Sequence, residues 1–147
     1  MDENRLGEAL WTMHLENMHA LDSIVENSKT RGENGVLLYL YHVGRPLFPG
    51  DLTGNLGLTT GRIANILKML EKSGYVVRRP DAVDKRRVLV ALTPAGEKAA
   101  ARRNEEAISY HTKLLSQLKP DEAKLFLDVL KRIVSAIDAE SSGPNRA

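Results

Sequence analysis

The feature that most constrains this sequence is an uninterrupted succession of structural signals between Thr59 and Pro94. Ile63, Ile66, Leu67 and Leu70 repeat at i, i+3, i+4 and i+7 behind Thr59 or Thr60, either of which can cap a helix. Gly74 follows the stripe where a C′ glycine is expected. Two runs of strand character come next, YVVRR over 75–79 and RRVLVAL over 86–92, joined by PDAVDK. They predict an antiparallel hairpin with a loop longer than the tightest turns. In the second run Val88, Val90 and Leu92 share one face, and Arg87 and Leu89 the other. Thr93 and Pro94 then open a new helix, threonine as cap and proline at the first helical position.

The flanking sequence is mostly helical in pattern. Leu6, Leu10, Met13, Met18, Leu21, Ile24 and Val25 fall close to one stripe with no proline among them, which predicts an amphipathic helix from Leu6 to about Val25. The turn-rich SKTRGENG over 28–35 reads as a loop. VLLYLYHV over 36–43 suits a buried strand or a buried helix, and helix is the reading adopted. GRPLFPG over 44–50 is a turn, after which Asp51 is expected to cap a short helix reaching Leu56, weakened by Gly54 and Gly57. The helix opened by Thr93 should run to about Leu118. A final helix starts at Pro120 with Asp121 and Glu122 in its first turn, and carries the stripe Phe126, Val129, Leu130, Ile133, Val134, Ile137. The tail SSGPNRA reads as frayed.

Charge singles out the middle of the chain. Residues 62–103 hold eleven Lys/Arg against four Asp/Glu, a net +7, whereas the remainder carries −5 and the whole only +2. Concentrated positive charge is the footprint expected of a nucleic-acid surface, because neutralising phosphates releases condensed counterions. Five of these cations, Arg78, Arg79, Lys85, Arg86 and Arg87, cluster around one loop, where mutual repulsion costs stability unless an anion uses them.

A short helix, a glycine-containing turn, a second helix with a polar outer face and a basic hairpin describe a winged helix-turn-helix: a mainly α fold with a small β-hairpin wing. With the apolar stripe of the second helix turned inward, Thr60, Gly61, Arg62, Asn65 and Lys68 remain outside or at its edge. Only the major groove admits a helix and displays a distinct donor and acceptor code. There Arg62 can fork onto a guanine edge, Asn65 can pair with adenine, Thr60 can hold a phosphate and Gly61 lets the backbone approach. The wing can rest on phosphates and push an arginine, Arg86 in the first instance, into the minor groove. Asp81 and Asp84 cannot ligate phosphate; they cap the turn or pair with Arg86.

The run TTGRIANILKMLEKSGYVVRRPDAVDKRRVLVALTPAGEK over 59–98 resembles the DNA-binding core of the MarR family of transcriptional regulators. Asp84-Lys85-Arg86, followed by Val88 to Leu92, Thr93 and Gly96, is similar to that family's D-x-R wing running into a strand that ends L-T-x-x-G. The resemblance implies an obligate homodimer, with helical dimerisation regions at 1–30 and 94–140, a DNA-binding domain at 33–93 and a flexible tail at 141–147. It implies DNA contacts from Thr60, Arg62, Asn65, Lys85, Arg86 and Arg87, with Asp84 ordering the wing. GDLTGNLGL departs from the family, having glycines where good helix formers are usual. Exposed stripes on helices 6–25 and 120–138 argue independently for a dimer, and twofold symmetry for a pseudo-palindromic double-stranded site.

The expected function is therefore a dimeric, sequence-specific transcriptional regulator, a repressor released by a small-molecule effector. Family members bind small aromatic or anionic ligands. Trp11, His14 and Asn17 on the first helix, with Tyr39, Tyr41 and His42 on the second element, could form such a pocket, and an ordinary core or interface also accounts for them. The alternative from another class is a winged-helix protein–protein adaptor whose hairpin meets an acidic partner. No catalytic motif stands out, so no enzyme and no cofactor are expected. With no cysteine, thiolate metal sites and thiol redox sensing are excluded. His14, Glu16, His19 and His111 are the metal candidates, but His14 and His19 lie about 140° apart on a helix, so no metal is expected. The sequence has no apolar run of membrane-spanning length, and MDENRLGEAL lacks a signal-peptide layout, which predicts a cytoplasmic protein without a membrane partner.

Overall fold

The computed structural model describes residues 3–17 and 32–141. Among the described residues, six helices and one hairpin follow in the order α1 (Glu3–Glu16), α2 (Glu33–Val43), α3 (Pro49–Leu56), α4 (Thr60–Lys72), β1 (Val76–Pro80), β2 (Val88–Leu92), α5 (Pro94–Leu115) and α6 (Pro120–Ser141). The chain divides into two compact units, 1–106 and 107–147, and the boundary falls within α5. None of these helices is long and apolar enough to cross a membrane.

The first unit is organised by one apolar core. Val36, Leu37 and Leu40 of α2, Leu52 of α3, all four stripe residues of α4, Val76, Val90 and Ala100 of α5 are buried together. Each large aliphatic side chain so buried contributes about 1.5–3 kcal/mol of transfer free energy. The run at 36–43, which suits either strand or helix, is a helix, with its buried positions Val36, Leu37 and Leu40 at i, i+1 and i+4, leaving Tyr41 and His42 outside. Gly44, in the left-handed region at φ 71°, terminates α2 by donating its N–H to the Leu40 carbonyl. α2 also begins earlier than the sequence pattern predicts. Val36 N–H bonds Gly32 O, so Glu33, Asn34 and Gly35 form a first turn whose N–H groups lack intrahelical partners in any case.

Asp51 does not cap α3 from outside. Phe48 is the N-cap, Pro49 occupies the first helical position, and the Asp51 carboxylate reaches back to accept the Phe48 N–H at 3.0 Å. α6 uses the same device, with the Glu122 carboxylate accepting the Lys119 N–H at 2.8 Å ahead of Pro120. α4 is capped by Thr59, whose hydroxyl accepts the Arg62 N–H at 3.2 Å. It ends in a Schellman turn: Tyr75 N–H bonds Leu70 O and Gly74 N–H bonds Glu71 O.

The hairpin pairs Val76 with Leu92 through to Pro80 with Val88. Leu47 adds a bridge beside it, exchanging both backbone bonds with Val90. Arg86 and Arg87, expected in the second strand, lie outside it because the Asp84 side chain and carbonyl take their N–H groups. α5 stops at Leu115 instead of Leu118, where bonds from Gln117 and Leu118 to the carbonyls three residues back tighten the chain into a turn. α1 starts at Glu3, before the expected Leu6; the rest of its expected stripe, Met18 to Val25, and the tail beyond Ser141 lie outside the described residues.

Candidate nucleic-acid interface

α4 follows directly from its sequence period. Burying Ile63, Ile66, Leu67 and Leu70 to within a few per cent leaves Thr60, Gly61, Arg62, Asn65 and Lys68 exposed. Arg62 and Asn65, three apart, share a face on the first turns after the cap. At that end the free backbone N–H groups and the helix dipole favour anions.

The wing is held by its own carboxylates. Asp81 Oδ2 accepts the Asp84 N–H at 3.1 Å, which caps the turn, and Asp84 Oδ1 accepts both the backbone N–H and the Nε–H of Arg86, each at 3.1 Å. Both roles left open for these aspartates are therefore filled, one by each residue. The Arg86 side chain, and then its backbone N–H, hold the Asp84 carboxyl below the usual carboxylate range; partial desolvation opposes them and the Arg87 charge adds to them. Arg86 is held by its backbone N–H and by the Nε–H of its guanidinium, yet its side chain is 92% exposed. Lys85 and Arg79 are also exposed.

Two of the basic residues have partners that the sequence reading did not supply. Arg78 Nε donates to Glu71 Oε2 of α4 at 3.0 Å, and the Arg87 guanidinium lies 3.6 Å from the centre of the Phe48 ring. Arg78 thus joins the wing to α4, and Arg87 joins it to the start of α3. No periodicity could have revealed the second contact, because its partners lie on either side of the whole helix-turn-helix.

The effector candidates divide between α1 and α2. Trp11 stacks on His14 with ring centres 5.7 Å apart, Tyr39 packs against the core, and His42 is exposed. A cleft of about 410 Å³ is lined by Tyr41, Arg45, Arg79 and Glu97, with Leu40 and Leu92 among its apolar walls. Among the described residues no group of three or more His, Asp or Glu is placed to hold a metal, and His19 lies outside them. His111 donates its Nδ1–H to the Ala107 carbonyl at 2.7 Å.

A helix with an exposed polar N-terminus followed by a cationic hairpin defines a winged-helix DNA-binding protein. The winged helix DNA-binding domain family matches residues 34–111, more than half of the chain, and the chain belongs to that family. An uncharacterized HTH-type transcriptional regulator, YdgJ of Bacillus subtilis (strain 168), is 29% identical over 103 residues, 70% of this chain and 62% of that protein. Among solved structures, a mutant MarR from E. coli superposes with a TM-score of 0.64 at 23% identity, covering 88% of this chain and 96% of that one. The S. aureus MepR–DNA complex gives a TM-score of 0.61 at 24% identity, covering 93% and 99%.

Proposed function

We propose that two copies of this chain bind one DNA duplex as a sequence-specific repressor. α4 enters the major groove N-terminus first: Arg62 forks onto a guanine edge, Asn65 pairs with adenine, Thr60 and Lys68 hold phosphates, and Gly61 permits close approach. The wing follows the adjacent backbone with Arg79, Lys85 and Arg87, and Arg86 enters the minor groove, its backbone N–H and Nε–H held by Asp84. Arg78 contributes mainly by anchoring the wing to Glu71. The observation that carries this reading is the division of α4, with one stripe wholly buried and the base-reading types exposed at the capped end.

Dimerisation is supported by apolar residues exposed on the single chain, Leu6, Leu10 and Trp11 on α1 and Phe126, Ile133, Val134 and Ile137 on α6. Release by a small aromatic or anionic effector belongs to the same reading. Trp11 stacked on His14 offers the aromatic surface such a molecule would meet, with Tyr39 and His42 as further candidates. The reading assigns the chain no catalysis.

The test is fluorescence anisotropy on a duplex that the protein selects from random-sequence DNA, over a salt series. Affinity should fall steeply with salt, and Arg86→Ala should weaken binding about 10-fold or more. Binding indifferent to salt, or an undiminished Arg86→Ala variant, would overturn the reading.

A further inference from the structure

Ala82 and Val83 form the turn of the wing between the two aspartates, and Val83 is 95% exposed. The fold gains nothing from a β-branched apolar side chain there, since such turns favour Gly, Asn, Asp or Ser. A solitary exposed valine is ordinary on a protein surface. This one differs in being held on a fixed frame. Asp81 N–H bonds Arg87 O and Arg87 N–H bonds Asp84 O, each at 2.9 Å. The Asp81 and Asp84 carboxylates close the loop from within. The frame therefore presents methyl groups in the same short loop as the exposed Arg86 guanidinium.

In the minor groove, A·T pairs show only acceptors, whereas G·C adds the guanine N2 amino donor. Valine can accept nothing from that amino group. Pressed against it, the side chain would strip water from a donor and leave it unsatisfied, which weakens binding about 5- to 100-fold. Against an A·T pair no such donor exists, and the acceptors remain for Arg86. Apolar side chains do enter the minor groove in other DNA-binding proteins, where they wedge between base steps. We propose that Val83 is a specificity-determining residue that makes the wing select A·T over G·C in the minor groove flanking the major-groove half-site. This rests on the placement of the wing proposed above.

The test uses the full chain and the selected duplex in three versions that differ only at the pairs under the wing, located by hydroxyl-radical footprinting: A·T, G·C and inosine·cytosine. Inosine·cytosine keeps the groove floor of A·T, lacking the amino group, while its major-groove edge is that of G·C. Wild-type protein should bind the A·T and inosine·cytosine duplexes alike and the G·C duplex at least about 5-fold more weakly. Val83→Ser, whose hydroxyl can accept from the amino group, should reduce the G·C-to-inosine·cytosine ratio to within about twofold. A ratio unchanged in Val83→Ser would assign the preference to Arg86 and groove width and overturn the proposal. Tight binding with equal affinity for G·C and inosine·cytosine would overturn it while leaving the DNA-binding reading intact. Failure to select any duplex would overturn both.

Discussion

Gly96 shows how tightly single residues are specified in this fold. A Cβ at that position would lie 1.9 Å from the Tyr75 carbonyl oxygen, so the first turn of α5 can rest on the backbone behind α4 only if the side chain is absent. Thr93 fixes the same junction, donating its hydroxyl to Gly74 O and accepting the Gly96 N–H at 3.0 Å. The L-T-x-x-G run thus has a steric and a hydrogen-bonding cause. Gly96→Ala should destabilise the protein by about 3 kcal/mol in urea unfolding at fixed protein concentration. Gly54→Ala is the opposite case: nothing lies within 4 Å of its Cβ and its φ is not positive, so it should stabilise by about 0.4–1 kcal/mol. Asp84 supplies a pH-dependent test. Its folded value is lowered, so its contribution is present above the unfolded value near 3.8 and is lost as pH falls through the folded one. In a carboxyl NMR titration Asp84 should have its midpoint below 3.8, and Arg86→Ala should raise it towards that value. An unmoved midpoint would mean that the Arg86 side chain does not pair with the Asp84 carboxylate.

Between elements, besides the burial of Val76 and Val90 in the core, the wing is tied to the rest of the winged unit by Arg78 to Glu71, Arg87 to Phe48, and Val90 to Leu47. The Arg78–Glu71 pair is about half-exposed on both sides, so its contribution to stability is at most about 1 kcal/mol. Its larger consequence is electrostatic, because a guanidinium already facing a carboxylate displaces fewer counterions from DNA. Lys85→Ala should lower the slope of log affinity against log salt by about 0.9, and Arg78→Ala by clearly less. Equal changes would mean that Arg78 leaves Glu71 for phosphate. These ties mark where sequence reading stopped. The stripe of α4, its Thr59 cap, the hairpin and the Thr93-Pro94 start were legible because each depends on neighbours within a turn or two. Asp51 was misplaced by three residues because proline and a carboxylate can cap a helix from inside as well as outside. Arg86 and Arg87 have strand neighbours in the sequence, but Asp84 takes their N–H groups. The partners of Arg78 and Arg87 depend on how the hairpin packs against the helices, which local pattern does not encode.

At the scale of the whole molecule, exposed apolar side chains and the geometry of DNA impose one joint requirement. α6 leaves Phe126, Val129, Ile133 and Ile137, at spacings of three and four, and Val134 beside them at 40% exposure or more in the isolated chain, a continuous stripe. A stripe of that kind is costly in water and is covered most simply by a second copy through a twofold interface. Sedimentation equilibrium should therefore give a dimer at micromolar concentration, and the double substitution Ile133→Glu with Ile137→Glu should give a monomer whose far-UV spectrum remains helical. DNA provides the functional counterpart. Two α4 helices related by a twofold axis can engage one face of a duplex only when their half-sites are about 34–36 Å apart or multiples of this. Linking the two binding events can raise affinity about 100-fold or more over a single one. Monomerisation should therefore cost about that factor on a duplex with two half-sites and little on a duplex with one. Inserting about five base pairs between the half-sites turns one of them to the far side of the duplex, so the wild-type dimer should lose as much as the monomeric variant does. A dimer that tolerates this insertion would have its two α4 helices joined too loosely for symmetry to determine its site.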